Sequence, residues 1–249
     1  MSTKKAKKDQ QYDEYWKLTV EYTDIFGAQF NNTLKVIVKY IDDNIDKIND
    51  FNIEKYNDRD KDERLKFKEL YGDLQGLIFS IYHKVDLGST RKSINQFVKL
   101  GFINPYLKGY HKLTKKFLNT SSSDKEMKQS IFSEIFYDSA SFNSSITNDN
   151  RDKKEINFLL KTLMYHPEKK LSKTDLIALM VTDLASFPKG YLTIDELKSQ
   201  YSYSKAIDFE ENKYNQIHYL FTFLNLMPDL TAHKDRGIAF TEDGTVLSD

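Results

Sequence analysis

The sequence predicts a mainly α protein: a helical N-terminal bundle, then two helix-turn-helix units, closed by a small C-terminal β-hairpin. Three observations carry this expectation. Apolar residues recur at three- and four-residue intervals through most of the chain. Nine glycines and four prolines in 249 residues are too few for a loop-rich sandwich or barrel. A hydrophobic fraction of 39% against a charged fraction of 30% fits small helical units with much surface better than one thick core.

The N-terminus, MSTKKAKKDQQ, is basic and lacks the apolar stretch of a secretion signal, so residues 1–11 are expected to form a disordered basic tail. Tyr15, Leu18, Tyr22 and Ile25, flanked by Trp16, fall at helical spacing and predict a helix from Asp13 to Phe26. Gly27 and Asn31-Asn32 mark a break. Leu34, Ile37, Val38, Ile41, Ile45 and Ile48 then predict a second helix. Phe67, Leu70, Tyr71, Leu74, Leu77, Ile78 and Ile81 predict a third, from about 61 to 82. Each is apolar on one side only, so the three must pack together. Between Asp42 and Arg64 nine acids meet five bases, which reads as a solvated face.

The chain is neutral overall, with 37 basic and 37 acidic residues. Yet Lys84 to Lys116 carries eight basic residues against the single acid Asp86. Such a concentration of one sign is the footprint of a polyanion-binding surface. After Gly88, Ser89 and Thr90 can cap a helix that buries Ile94, Phe97 and Val98 and stops at Gly101. Arg91, Lys92, Asn95, Gln96 and Lys99 are left outside, the side-chain types that read base edges and grip phosphates. A short helix or wing should follow from Tyr106 to Leu118, and Lys108, Lys112, Lys115 and Lys116 are its candidate phosphate clamps. Tyr106 and Tyr110 interleave with these lysines, whereas the remaining Tyr and Phe fall mostly at core-facing positions. His111 is expected to be an ordinary surface group.

One apolar helix is expected from about Glu126 to Tyr137. Residues 143–152, NSSITNDNRD, lack periodicity and are the expected linker between a helical domain, 12–142, with its basic helix-turn-helix at 84–118, and a second domain, 153–249. That second domain begins with a helix from Lys154 to Tyr165, ended by Pro167. Ser172 should cap Lys173 to Phe187, and Thr193 with Glu196 forms a capping box. A longer helix follows from about Asp208 to Leu226, burying Tyr214, Ile217, Leu220, Phe221 and Leu224. Leu230–His233 and Ile238–Thr241 can pair as strands across Lys234-Asp235-Arg236-Gly237.

This order, with Thr193-x-x-Glu196, the apolar helix around Leu220–Leu224 and the run Gly237–Gly244, resembles a winged helix over residues 170–247. Asn95–Ile103 followed by Tyr110–Thr114 resembles a second copy with a shortened wing. The segment Leu87–Leu118 is similar to DNA-recognition regions of type II restriction endonucleases, and tandem winged-helix replication initiators are nearly as similar. The resemblance implies sequence-specific binding of double-stranded DNA as the target-recognition part of a restriction-type system. It further implies a nuclease subunit or domain, or a second copy of the chain, as companion. Other readings are a replication initiator or transcription regulator, a metal-dependent endonuclease, and a protein-interaction scaffold. From Ile207 onward eight acids face three bases, so the first unit is the better DNA reader.

No catalytic centre is legible. Glu126-Met127-Lys128 and Glu196-Leu197-Lys198 match the acid-x-Lys tripeptide of magnesium nucleases, but both lie on expected helices. No cofactor is expected, magnesium entering only if the chain is a nuclease. The five histidines have no paired metal spacing, and the absence of Cys excludes thiolate sites and disulfides. No apolar run reaches the roughly 18 residues of a membrane span, so a cytoplasmic protein without membrane contact is expected. Residue usage rich in Lys, Asn, Ile and Tyr is associated with AT-rich bacterial genomes.

Overall fold

A computed structural model describes residues 12, 14–81, 87–233, 237–242 and 245–246. The basic tail 1–11, His83, Lys84 and Asp86, the hairpin turn 234–236 and Asp243-Gly244 lie outside the described residues. So do the side chains of Ser89, Tyr214 and His233.

The expected helix over 13–26 is absent. Residues 14–20 form no helix, and burial alternates: Trp16, Leu18 and Val20 are buried while Lys17, Thr19 and Glu21 are exposed. That is a period of two, the mark of an extended segment lying on a core. This strap bonds to both halves of the chain. Trp16 N–H donates to Met180 O, Lys17 N–H to Asn143 Oδ1, and Glu21 and Tyr22 N–H both to Gln96 Oε1.

Helix α1 (Ala28–Asp43) buries Phe30, Leu34, Ile37, Val38 and Ile41 at three-four spacing. It breaks at Asn44, so the expected second helix is α1 plus the short α2 (Ile45–Asp50). After α3 (Ile53–Asn57), α4 (Lys61–Ile81) packs Phe67, Leu70, Leu74 and Ile78 against α1. Helix α5 (Leu87–Lys99) lies against both α1 and α4. It starts at Leu87, before the expected hydroxyl cap, and Thr90 is buried inside its first turn.

The end of α5 follows expectation closely. Gly101 takes φ +87°, Gly101 N–H donates to Val98 O, and Phe102 N–H reaches back to Phe97 O, the paired bonds of a Schellman stop. A Cβ at Gly101 would lie 2.8 Å from the Ser139 carbonyl carbon, so glycine also permits a close backbone approach. Beyond it there is no wing: Ile103 and Tyr110 form an isolated bridge, a 3₁₀ turn covers Pro105–Leu107, and α6 (Thr114–Asn119) follows. The first unit therefore holds short helices joined by turns, with no strand longer than this single bridge among its described residues.

Helix α7 (Lys125–Ser139) leads to the segment 143–152, which is a packed loop rather than a linker. Ile146 is buried, its N–H donating to Asn95 Oδ1 and its carbonyl accepting from Tyr106 N–H. Ser141 Oγ meets Ser144 Oγ and Asn150 O, and Arg151 reaches Asn104. These bonds dock the loop onto α5 and the turn at 104–106.

The second half runs α8 (Glu155–Tyr165), β1 (Lys170–Leu171), α9 (Lys173–Met180), α10 (Ile194–Gln200), α11 (Tyr203–Leu224), β2 (Leu230–His233), β3 (Gly237–Glu242) and β4 (Thr245–Val246). Capping boxes at Ser172–Asp175 and Thr193–Glu196 start α9 and α10. Helix α9 stops at Met180, short of the expected Phe187, and α11 bends at Lys213. The antiparallel sheet has the order β1-β3-β2, with β4 on the far end of β3. The second half thus has the expected helices followed by a hairpin, with the unexpected strand β1 added along β3.

A row of aromatic rings joins the halves into one core. Phe30 meets Phe97 and Phe102, Phe102 meets Phe117 and Phe132, and Phe132 reaches Phe223 of α11 at 5.9 Å. Phe136, Phe142 and Trp16 continue it to the strap. The abundance of Phe is thus spent on packing, each buried ring contributing roughly 1.5–3 kcal/mol. No helix among the described residues is long and apolar enough to cross a membrane.

Candidate nucleic-acid interface

The basic stretch divides into exposed cations and buried anchors. Helix α5 sits between α1, α4, the strap and the 143–152 loop, so residues Ser93–Leu100 are buried except for a half-buried Asn95. This overturns the expectation that α5 presents a reading face. Gln96 is fully buried and its Oε1 holds the strap backbone. Asn95 accepts from the Ile146 amide. Lys99 is 6% exposed, and its ammonium donates to Phe142 O. Burial pushes the Lys99 amine down to about 8, and the nearby Glu155 carboxylate partly restores its proton. Glu155 itself is buried at the start of α8, accepts from Asn143 N–H, and is raised by desolvation.

Lys108 is likewise an anchor. Its ammonium donates to Ile48 O and Phe51 O and lies over the Phe51 ring, so burial lowers its pKa. Lys115 is exposed but pairs with Asp42 at 2.8 Å, while Tyr110 donates to the other Asp42 oxygen. Hydrogen bonding to Lys115 holds the Asp42 carboxyl below the usual carboxylate range. The acidic segment after Asp42 is therefore not merely solvated: it receives part of the basic stretch. Two signals pointed to this docking, the acidic run itself and the aromatic residues interleaved with the lysines.

Four of the nine candidates remain exposed with no ion pair among the described residues: Arg91 and Lys92 on the first turns of α5, and Lys112 and Lys116 around α6. Lys112 faces the His111–Asp138 pair closely enough to lower the Asp138 carboxyl, whose first support is the Ser139 hydroxyl. His111 is buried rather than a surface group; its Nε2 lies 3.1 Å from Asp138 and its Nδ1 accepts from Leu113 N–H. Tyr106 is buried as well, with its hydroxyl on Asn57, and so is not available for stacking.

Beside this pair a cleft of about 470 Å³ opens between the end of α7 and the start of α8, lined by Asp138, Asp149, Arg151, Asp152, Lys154 and Asn157 among others. Arg151 is already tied to Asp149, and the remaining charges are of mixed sign. Neither nuclease-like tripeptide stands on a strand. Lys128 is buried and its ammonium closes the end of α6 through Phe117 O and Thr120 O, while Glu196 is consumed by its capping box and Lys189. Among the described residues no group of three or more His, Asp and Glu side chains could hold a metal.

Compared with family models, curated proteins and solved structures, the chain matches none.

Proposed function

We propose that this protein binds double-stranded DNA through phosphate contacts. The observation that supports this most directly is the exposure of Arg91, Lys92, Lys112 and Lys116 without carboxylate partners among the described residues. Exposed lysines and arginines in one short stretch release condensed counterions when they meet phosphates, which favours DNA over smaller anions. Buried Lys99 and half-buried Lys108 of the same stretch bond to backbone carbonyls, so the charges are presented from a fixed frame. The resemblance of residues 170–247 to a winged helix is a further support of the same class. Base reading by Asn95 and Gln96 is no part of this proposal, because both side chains are engaged inside the protein.

Replacing Lys112 and Lys116 with Ala is the test. Duplex affinity is expected to fall for any sequence, and the slope of log affinity against log salt to flatten by about 2. Unchanged affinity and slope would rule out this surface. Selection from random duplexes, with and without magnesium, then separates a binder that selects a sequence from one that cleaves or ignores DNA.

A further inference from the structure

On the opposite half of the molecule two tyrosines form an exposed stack. Tyr165, at the last turn of α8, and Tyr191, just before α10, have ring centroids 4.3 Å apart and planes within 21° of parallel. Tyr165 is 57% exposed although Tyr191 covers one of its faces, so its other face and edge meet solvent. Lys189 lies over the Tyr191 ring at 4.9 Å. It cannot share the face that Tyr165 covers, so the order is ammonium, Tyr191, Tyr165, solvent.

Two further lysines lie along the end of α8 and beside the turn before Tyr191. Lys161 is exposed one helical turn before Tyr165, on the same side of α8. Its ammonium passes next to Gly190, where a Cβ would stand 3.4 Å from Nζ. Lys169 is exposed and donates to Met164 O at the end of α8. Glu196 pairs with Lys189 and caps α10, which leaves Lys161 and Lys169 as cations with no carboxylate partner among the described residues.

From this arrangement we propose a single-stranded nucleic-acid site, in which an unpaired base stacks on the outer face of Tyr165 and Lys161 and Lys169 hold the flanking phosphates. A pre-stacked aromatic face loses little conformational freedom on binding, and any base offers a flat surface to it. Lysines beside it favour a ligand that is both flat and anionic, the combination that single strands provide and a purely apolar partner does not. The site is independent of the duplex surface around α6.

The test uses the full chain and fluorescein-labelled oligothymidylate and oligouridylate, about ten nucleotides long, at low salt. Tyr165→Ala is expected to weaken binding roughly ten-fold, whereas Tyr165→Phe, which keeps the stacking face, binds like the wild type. Lys161→Ala should weaken binding less and flatten its salt dependence by about 0.7. Oligodeoxyuridylate, which differs from oligouridylate only at the 2′ position, tells DNA from RNA. The proposal is overturned if the wild type does not bind either strand, if Tyr165→Ala binds as tightly as the wild type, or if polyglutamate competes as well as the oligonucleotide. Lys112→Ala with Lys116→Ala leaves this affinity unchanged, so failure of the duplex surface and failure of this site are read separately. An unchanged melting temperature for Tyr165→Ala shows that the variant is folded, and Lys161→Ala carries the test if it is not.

Discussion

Gln96 separates two ideas about α5, a helix that reads DNA and a helix that holds the protein together. Its Oε1 accepts the Glu21 amide at 2.7 Å and the Tyr22 amide at 2.9 Å, and its side chain is fully buried. Gln96→Ala removes this acceptor and both of its hydrogen bonds. Each lost hydrogen bond costs about 1 kcal/mol, and the lost methylene adds roughly 0.8 kcal/mol. Gln96 Nε2 has no partner among the described residues, so relief of that buried donor offsets up to about 1 kcal/mol. A net destabilisation of about 2–3 kcal/mol follows, which in a chain of this length lowers the melting temperature by roughly 4–12 °C. Calorimetry measures the loss, and amide exchange locates it: Glu21 and Tyr22 should exchange faster while α11 amides do not. Gln96→Met, which keeps the bulk but not the acceptor, should recover only the packing part. A variant with unaltered melting temperature and exchange but altered duplex preference would refute the anchoring role.

Three other outcomes follow from the same geometry. Gly101→Ala forces a side chain into a φ of +87° and against the Ser139 backbone, and should destabilise by roughly 2–4 kcal/mol in urea unfolding. Lys99 releases its proton at about 8 in the folded chain but near 10.4 when unfolded. Between those values the unfolded state binds more protons, so stability should rise with pH by up to about 3 kcal/mol and Lys99→Met should flatten the rise. Above pH 10 the sign reverses, because burial raises Tyr12, Tyr40 and Tyr71 to about 12 and only the unfolded tyrosines ionise; a stability maximum near pH 10 in unfolding curves is the check.

Much of the fold was readable because local rules and tertiary packing agreed. The capping boxes at Ser172 and Thr193, the glycine stop at Gly101 and the three-four stripes of α1 and α4 each appear where their residues stand. The strap was misread because Tyr15, Leu18, Tyr22 and Ile25 satisfy a helical period while Trp16, Leu18 and Val20 satisfy a period of two. Its neighbours decided the matter: Gln96 and Asn143 supply the acceptors that an extended backbone needs. Strand β1, two residues long, carries too little pattern to be seen without its partner β3.

The charged stretch gives the sharper lesson. Sequence alone determined that Lys84–Lys116 is strongly basic, that it contains a helix ending at Gly101, and that the chain is mainly α, because composition, period and glycine conformation are local properties. Only the tertiary structure decided which charges face solvent. Lys99 and Lys108 have long apolar stems whose ammonium groups find backbone carbonyls inside the protein, and Gln96 is polar enough to bridge a strap yet small enough to be enclosed. Whether a polar side chain meets water or another part of its own chain depends on what packs over it, and that is set by residues distant in sequence.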